Sequence, residues 1–153
     1  MKNRHLKTVV ILVAVSVFWL STNTFGAADT IVIGHQVCLS GKYAKAGEQA
    51  IGGIKVCIDW VNDVYGGILV GGKRVPLEYK YYDCESKIEA VTSLIERLIT
   101  VDKVNVVFSA YSSGLTFAGA SASERYSMLY MDHGGASDRI FQQGFQYIVQ
   151  TKR

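Results

Sequence analysis

Two consecutive serines stand where an apolar run gives way to a helix-like pattern. In the stretch that begins at Val106, the letters SAYSSG place Ser112 and Ser113 directly before Gly114. A serine at a helix start caps a free backbone N–H group, and this role alone accounts for one of the two. A helix start also favours an anion, through its unpaired donors and its dipole. The chemistry that this junction indicates is the binding of a small carboxylate.

Two other loops have a similar composition of small and hydroxyl residues. CLSGKYAKAG follows the first strand-like run, and DHGGAS contains Gly134 and Ser137. Small residues there let a ligand approach backbone amides, and the hydroxyl groups can bind it. Ligand sites also often have aromatic walls, which makes Tyr43 and Tyr111 candidate contacts. Together with SAYSSG, these loops predict a ligand-binding crevice.

Other kinds of chemistry have little support in the residues. No phosphate-binding glycine motif is present, and the nearest approach to a G-x-S-x-G elbow, GASAS, falls inside a predicted helix. His133 stands beside Asp132, but one such pair is a weak signal, and His35 is expected to be a core or edge residue of a strand. Asp83 and Glu85 are interpreted as helix-start or solvated acids. The sequence therefore predicts no catalytic residue, no metal site and no cofactor.

The order of the surrounding elements decides whether the three loops meet. Strand-like runs alternate with helix-like stretches or turns, and these runs are TIVIGHQV, RVPLEYKYYD, VNVVFS, MLYM and FQYIVQ. The first helix has an apolar stripe from Ile51 to Tyr65, and Gly71 marks a turn before the second strand. The S-x-x-E pattern of Ser86 and Glu89 predicts a capping box that opens the second helix.

This alternation predicts a doubly wound, Rossmann-like α/β fold with a parallel sheet covered on both faces. For the strand order 2-1-3-4-5, ligands bind beyond the carboxyl ends of the strands, between the first and the third. The loops CLSGKYAKAG and SAYSSG follow those two strands, so the candidate residues are expected at one edge. The chain ends directly after the fifth strand, which predicts an incomplete fold of one domain.

The N-terminal segment is predicted to be an export signal covering residues 1–28. Lys2, Arg4 and Lys7 precede a short apolar core and the small residues that end at Ala28, which is the layout of a secretory signal peptide. A retained membrane anchor is the alternative, although the apolar core is short for a span of about 20 residues. Without this segment the net charge falls from +3 to zero, so a nucleic-acid partner loses its main support.

The chain contains three cysteines, Cys38, Cys57 and Cys84. A bridge between Cys38 and Cys84 is possible if their strands are neighbours, but the sequence does not fix the connectivity. Buried or unpaired cysteines are the alternative. Neither a CxxC motif nor paired histidines accompany them, so zinc binding is not predicted.

Taken together, the motifs resemble the solute-binding proteins of ABC transporters for branched-chain amino acids and amides, the leucine/isoleucine/valine-binding type. The resemblance rests on LSGKYAKAGEQAIGGI, VNDVYGGI, YYDCESKIEAVTSLIERLI, VFSAYSSG and GGASDRIFQQGFQYIVQT. It implies that residues 29–153 are the N-terminal lobe of a type I periplasmic binding protein, with the second lobe absent. It also implies a periplasmic protein that is not an enzyme and that binds a small amino acid or amide. Such a protein docks on permease subunits and meets the membrane only through the transporter or an uncleaved signal.

The resemblance further implies roles for individual residues. Ser113 matches the family serine that binds the ligand carboxylate, and Gly134 and Ala136 match positions whose backbone groups hold the ligand. Ala136 stands where some members have a threonine, and Ala46 stands where leucine binders can carry a tyrosine against the ligand side chain. Cys84 resembles a family cysteine whose expected partner position is occupied here by a serine, so that particular bridge is expected to be absent.

The strength of binding by one lobe can be estimated. Two charge-assisted hydrogen bonds to a carboxylate contribute about 3 to 6 kcal/mol, whereas micromolar affinity needs about 8 kcal/mol. The first lobe alone is therefore expected to bind weakly or not at all. Two alternatives to an importer component are a sensory receptor ectodomain of the same fold and a serine hydrolase, for which the sequence offers no triad.

Overall fold

The central feature of the fold is a five-stranded parallel sheet. The computed structural model describes residues 30–151, so the predicted signal segment 1–28 lies outside them. The strand order confirms the predicted 2-1-3-4-5 arrangement once a small hairpin is set apart. In spatial order the strands are β4 (Leu77–Asp83), β1 (Ile31–Val37), β5 (Val106–Phe108), β6 (Tyr130–Asp132) and β7 (Ile148–Gln150).

The hairpin consists of β2 (Ile68–Val70) and β3 (Lys73–Val75), which pair in antiparallel register around the predicted glycine turn. The prediction of one continuous strand over RVPLEYKYYD is wrong at its start. Pro76 separates β3 from β4, because a proline has no N–H group to donate to a sheet ladder. Its carbonyl oxygen accepts a hydrogen bond from the N–H of Ile31 at 2.9 Å instead.

Three α-helices connect the strands, and two short 3-10 segments lie in the loops. These elements are α1 (Ala44–Tyr65), α2 (Ile88–Thr100), α3 (Ser113–Glu124) and the segments Gly41–Tyr43 and Asp138–Gln143. The connection through α1 runs from β1 to β4, and those through α2 and α3 run across the sheet in the opposite direction, to β5 and β6. Because such crossovers are right-handed, α2 and α3 lie on one face of the sheet and α1 on the other.

Helix α1 begins earlier than the apolar stripe from Ile51 predicted. Ala44 and Ala46 have high helix propensity, so the second half of CLSGKYAKAG forms the first helical turn. Gly47 then allows this turn to approach the end of β1. A Cβ atom at Gly47 would lie only 1.7 Å from the carbonyl oxygen of Cys38.

The core lies between the sheet and the two helices α2 and α3 that cover one of its faces. Val91, Ile95 and Leu98 of α2 are fully buried there. Tyr130 of β6 is also fully buried, and its hydroxyl accepts a hydrogen bond from the Gln36 side-chain amide at 2.8 Å. The ring occupies space that the missing side chain of Gly119 leaves, since a Cβ there would lie 2.0 Å from the Tyr130 hydroxyl oxygen.

The predicted capping box of Ser86 and Glu89 is wrong. Lys87 occupies the N-cap position of α2 and makes no side-chain capping bond. Ser86 has a positive φ of 59°, and its hydroxyl donates to the carbonyl oxygen of Ser40 at 2.8 Å and accepts from the N–H of Tyr43 at 3.1 Å. Contacts with the first loop therefore override the local capping signal.

The face that carries α1 is only partly covered among residues 30–151. A cavity of about 280 Å³ lies between α1 and the strands, lined by residues that include Ile54, Phe108, Met131 and His133. It lies on the α1 face of the sheet, and its lining also includes Gln49 near the start of α1 and Thr151, which follows the end of β7. Within the described part of the chain, no helix is both long and apolar enough to cross a membrane.

His35 is buried beneath this face, which confirms its predicted place in the core. Its Nε2 lies 2.9 Å from the Ser109 carbonyl oxygen and its Nδ1 lies 2.6 Å from the Tyr79 hydroxyl. A carbonyl oxygen only accepts, so Nε2 carries the hydrogen and Nδ1 accepts from Tyr79. Burial, and then the nearby His133, lower the pKa of His35 from 6.5 to about 3.

We expect the free energy of unfolding to fall by about 2 kcal/mol between pH 6.5 and 4.5 because of His35. In this range the unfolded chain binds a proton at this side chain and the folded chain does not, so acid favours unfolding. Urea unfolding at several pH values measures the slope. His35→Gln removes the titrating group, so the free energy of unfolding of this variant should fall by about 2 kcal/mol less over the same pH range. Equal pH slopes for the two proteins would contradict the role given to His35.

Candidate functional site

The candidate site is a surface cavity of about 330 Å³ at the carboxyl edge of the sheet. Helices α2 and α3 both begin at this cavity, so two helix N-termini with positive dipole ends face it. The sheet changes winding direction between β1 and β5, and the cavity lies beside that point, as the sequence predicted. Its lining residues are Tyr43, Ser86, Ile88, Ser112, Ser113, Gly114 and Leu115.

Ser112 is the N-cap of α3. Its hydroxyl accepts from the N–H of Leu115 at 3.5 Å, and its carbonyl oxygen accepts from the N–H of Thr116 at 2.9 Å, which confirms the predicted capping role. The residue has φ of 93°, a region that a non-glycine residue enters at a cost of order 1 to 3 kcal/mol. Its own N–H donates to the Gly134 carbonyl oxygen at 3.3 Å, so the strained backbone joins two of the three loops.

Ser113 is the first residue of α3, and its side chain faces the DHGGAS loop. Its Oγ accepts a hydrogen bond from the N–H of Ala136 at 3.1 Å. The N–H groups of Ser113 and Gly114 belong to the first helical turn, whose donors have no partner inside the helix. This end of the cavity therefore brings one hydroxyl and two first-turn amides together at a positive helix end.

The DHGGAS loop is shaped by the carboxylate of Asp132, which the sequence pointed out only as the neighbour of His133. Asp132 is fully buried, and its Oδ1 accepts from the Ser109 hydroxyl at 3.1 Å and from the N–H groups of Gly134 and Gly135 at 2.9 and 2.7 Å. An aspartate that accepts from amides two and three residues later forms an Asx turn, and the D-x-G-G pattern is the signal that could have revealed it. The predicted contact residue Gly134 thus directs its N–H inward, and its carbonyl is the group directed to Ser112.

Position 134 has no room for a side chain. A Cβ atom there would lie 2.3 Å from the carbonyl oxygen of Ala110 and 2.8 Å from the Cα of Tyr111. The loop after β6 therefore packs directly on the backbone of the SAYSSG loop. Ala136, two residues later, is exposed at the rim.

Two tyrosines form the aromatic side of the site. The rings of Tyr43 and Tyr111 meet edge to face, with their centroids 5.6 Å apart. Tyr43 is half-buried and lines the cavity, whereas Tyr111 is 46% exposed. The structure therefore brings both predicted aromatic residues to the rim with Ser112 and Ser113.

Asp83 holds the first loop to the turn after β4. Its Oδ1 accepts from the N–H groups of Leu39, Ser40 and Glu85 at 2.8, 3.3 and 2.8 Å. Burial opposes ionisation, but the hydrogen bond from the Ser40 side chain and these amide bonds outweigh it and lower the pKa of Asp83. The interpretation of Asp83 as a helix-start or solvated acid did not include these bonds to the first loop, while Glu85 is exposed and pairs with Lys87 at 2.6 Å.

The hydrogen-bond partner of the Ser113 hydroxyl bears on the alternative of a serine hydrolase. A serine nucleophile needs a general base within hydrogen-bond reach, and the hydrogen bond found at its Oγ comes from a backbone amide. Across residues 30–151, groups of three or more His, Cys, Asp or Glu suited to hold a metal ion are not found.

Comparison with known proteins identifies relatives of this chain. A family model described as periplasmic binding protein matches residues 30–152. The Leu/Ile/Val-binding protein homolog 8 of Brucella abortus is 31% identical over 133 residues, a match that covers 86% of this chain and 32% of that relative. Homolog 7 of the same organism is 28% identical over 140 residues. The chain spans about a third of the length of these curated relatives.

Solved structures have the same architecture. The branched-chain amino acid transporter substrate binding protein LivJ from Streptococcus pneumoniae, in complex with isoleucine, superposes with a TM-score of 0.70 at 26% identity over 79% of this chain and 33% of that one. A solute binding protein of an ABC transporter from Rhodopseudomonas palustris, in complex with 3,4-dihydroxybenzoic acid, superposes with a TM-score of 0.68 at 25% identity. The match covers 81% of this chain and 32% of that one. The family match and the parallel sheet agree, and this chain belongs to the periplasmic binding protein family.

Proposed function

We propose that residues 29–153 form the N-terminal, ligand-binding lobe of a periplasmic solute-binding component of an ABC importer. The segment 1–28 directs export, and the lobe takes a branched-chain or related amino acid, or an amide, at the cavity between the starts of α2 and α3. The holoprotein closes around its ligand and docks on permease subunits. The protein binds and releases its ligand without a reaction.

The observation that carries this proposal is the arrangement at the start of α3. The Ser113 hydroxyl, its backbone amide and that of Gly114 lie at the positive end of a helix, where a carboxylate is stabilised by charge-assisted hydrogen bonds. The hydroxyl already accepts from the Ala136 N–H, so its own hydrogen is available to donate to an anion.

The ligand class follows from what the relatives' ligands share. Isoleucine and 3,4-dihydroxybenzoic acid, found in the Streptococcus and Rhodopseudomonas proteins, differ in their side groups but both carry a carboxylate. Ser113 is therefore assigned to the carboxylate. Tyr43 and Tyr111 are assigned to the apolar part of the ligand, Ser112 to the shape of the loop, and Gly134 and Ala136 to backbone contacts.

Amide chemical shifts of the ¹⁵N-labelled chain, titrated with isoleucine and in parallel with 3,4-dihydroxybenzoic acid, test the proposal. The expected shifts are concentrated at Ser113, Gly114 and Ala136, with a dissociation constant in the millimolar range because one lobe supplies only part of the contacts. The ligand that gives the smaller constant identifies the preferred side group.

Ser113→Ala is expected to raise that dissociation constant about tenfold or more, since it removes a hydrogen bond to a charged group. Ser121→Ala, in the same helix but away from the cavity, should leave it unchanged. If Ser113→Ala binds as the original chain does, or if the shifts centre on the cavity near Phe108, the carboxylate site is placed wrongly.

A further inference from the structure

Cys38 and Cys84 occupy equivalent positions at the ends of two neighbouring parallel strands. Val37 and Asp83 are the last paired residues of β1 and β4, so the two cysteines are the next residues on each side. The N–H of Cys84 donates to the carbonyl oxygen of Val37 at 2.8 Å, which extends the ladder to this point. Both side chains are fully buried and both thiols are free.

The separation of the two sulfur atoms is close to that of a covalent pair. Their Sγ atoms lie 3.0 Å apart, so an approach of about 1 Å brings them to bonding distance. Adjacent strands are about 4.8 Å apart, and disulfides join Cα atoms separated by about 4.4 to 6.8 Å. The pairing of β1 with β4 is therefore compatible with such a bond.

The contacts around this pair show what such a bond would hold. Ser86 contacts the carbonyl oxygen of Ser40 and the N–H of Tyr43, and Asp83 accepts from the amides of the first loop. All these hydrogen bonds join the loop after β1 to the turn after β4. The two cysteines also belong to these two segments, and they lie in the core against which Tyr43 packs.

We propose that Cys38 and Cys84 form a disulfide that fastens the two loops on the Tyr43 side of the binding cavity. The proposal rests on the proposed function in one respect, since a periplasmic location supplies the oxidising conditions. Cys57 lies exposed on α1 and takes no part. A family-type bridge from Cys84 to position 112 is not available, because that position is a serine.

The bond forms by thiol–disulfide exchange with an oxidant that is itself a disulfide, such as oxidised glutathione or an oxidised dithiol oxidoreductase. The Cys38 thiolate attacks one oxidant sulfur, that S–S bond breaks, and the other oxidant sulfur leaves as a thiolate. Cys84 then loses its proton and attacks the Cys38 sulfur of the mixed disulfide, releasing the second oxidant sulfur. Two electrons pass to the oxidant, and the two thiol protons go to the released thiolates or to solvent.

The hydrogen bond within the pair favours Cys38 as the attacking group. With Cys84 as the donor and Cys38 as the acceptor, this bond lowers the pKa of the Cys38 thiol to about 7 and raises the pKa of Cys84. A larger thiolate fraction at neutral pH speeds exchange. Because both sulfurs are buried once α1 packs on Cys38, the exchange takes place while the chain folds.

The state of each cysteine is measured by peptide mapping of the full chain. The purified chain is reduced and unfolded in urea, refolded in a glutathione redox buffer, alkylated in denaturant and digested with trypsin, which places the three cysteines on three different peptides. The expected result is a linked pair of peptides containing Cys38 and Cys84, with Cys57 alkylated. Three alkylated thiols, or equal amounts of all three possible pairs, would overturn the proposal.

A second measurement uses the Cys57→Ser variant, in which only the proposed pair remains. Oxidation should raise its melting temperature by about 5 °C or more, because a bond across 46 residues restricts the unfolded chain. Cys57→Ser combined with Cys84→Ala should show no such difference between oxidising and reducing buffers. Equal melting temperatures of oxidised and reduced Cys57→Ser would count against the bond. Neither measurement involves a ligand or export, so a failure of the proposed function is distinguished from a failure of this proposal.

Discussion

Replacement of Gly47 by alanine is expected to lower the free energy of unfolding by about 3 kcal/mol or more. The added Cβ would lie 1.7 Å from the carbonyl oxygen of Cys38 and 2.6 Å from its carbonyl carbon. Both are backbone atoms at the end of β1, so a side-chain rotation does not relieve the overlap and α1 must move away from the sheet. Urea unfolding followed by circular dichroism measures the loss.

Gly52→Ala is the matched control for this prediction. Gly52 lies in the same helix, and a Cβ there would meet no atom within 4 Å apart from its chain neighbours and the nearby backbone of its own helix. Alanine at this position should stabilise the protein by about 0.5 to 1 kcal/mol, because glycine has the higher entropic cost in a helix. If the two variants change stability by similar amounts, the close approach of α1 to β1 is not what Gly47 provides.

The second large effect is expected for Asp132→Ala, with a loss of about 3 to 5 kcal/mol in the free energy of unfolding. The change leaves two buried donors without this acceptor, the hydroxyl of Ser109 and the amide of Gly135, while the amide of Gly134 keeps only its 3.1 Å bond to Ser109 Oγ. These amides fix the turn that brings Ala136 to Ser113. Thermal unfolding measures the loss, and hydrogen exchange at Gly134 and Gly135 should become faster at the same time.

Asp132→Asn separates the acceptor role from the loss of volume. Asparagine keeps an Oδ1 atom in the same place, so most of the three hydrogen bonds persist and the cost should be about 1 to 2 kcal/mol. A loss for Asp132→Asn as large as that for Asp132→Ala would mean that the charge, and not the acceptor geometry, holds the loop.

The strand order was predictable because it depends on signals that repeat along the whole chain. Alternating strand and helix patterns exclude most topologies, and right-handed crossovers then fix the faces. The confirmed order places CLSGKYAKAG and SAYSSG side by side. The position of the candidate site at this edge followed from the order alone.

Signals that involve only a few residues were less reliable. The S-x-x-E pattern at Ser86 predicted a cap, but Ser86 binds Ser40, 46 residues away in sequence. The loop ties made by Asp83 were missed for the same reason, since their partners in the first loop lie far along the chain. Local propensity does not report such contacts. The capping role of Ser112 was predictable because its partners are three and four residues away.

Within the candidate site, residue type predicted proximity but not the direction of the polar groups. The structure brings Tyr43, Tyr111 and Ser113 to one rim, as the sequence indicated. The inward orientation of the Gly134 amide depends on the buried carboxylate of Asp132, and burial is a property of the whole fold. The contacts of these residues with a ligand remain predictions.

The fit between Gly119 and Tyr130 has a consequence for how this fold evolves. The tyrosine hydroxyl lies where any side chain at position 119 would begin, and Gln36 holds that hydroxyl in place. A larger residue at 119 is therefore tolerated only after position 130 has become smaller, and a smaller residue there leaves the Gln36 amide without its acceptor. Three positions on α3, β6 and β1 are thus bound to change together, and their substitutions in related sequences should be correlated.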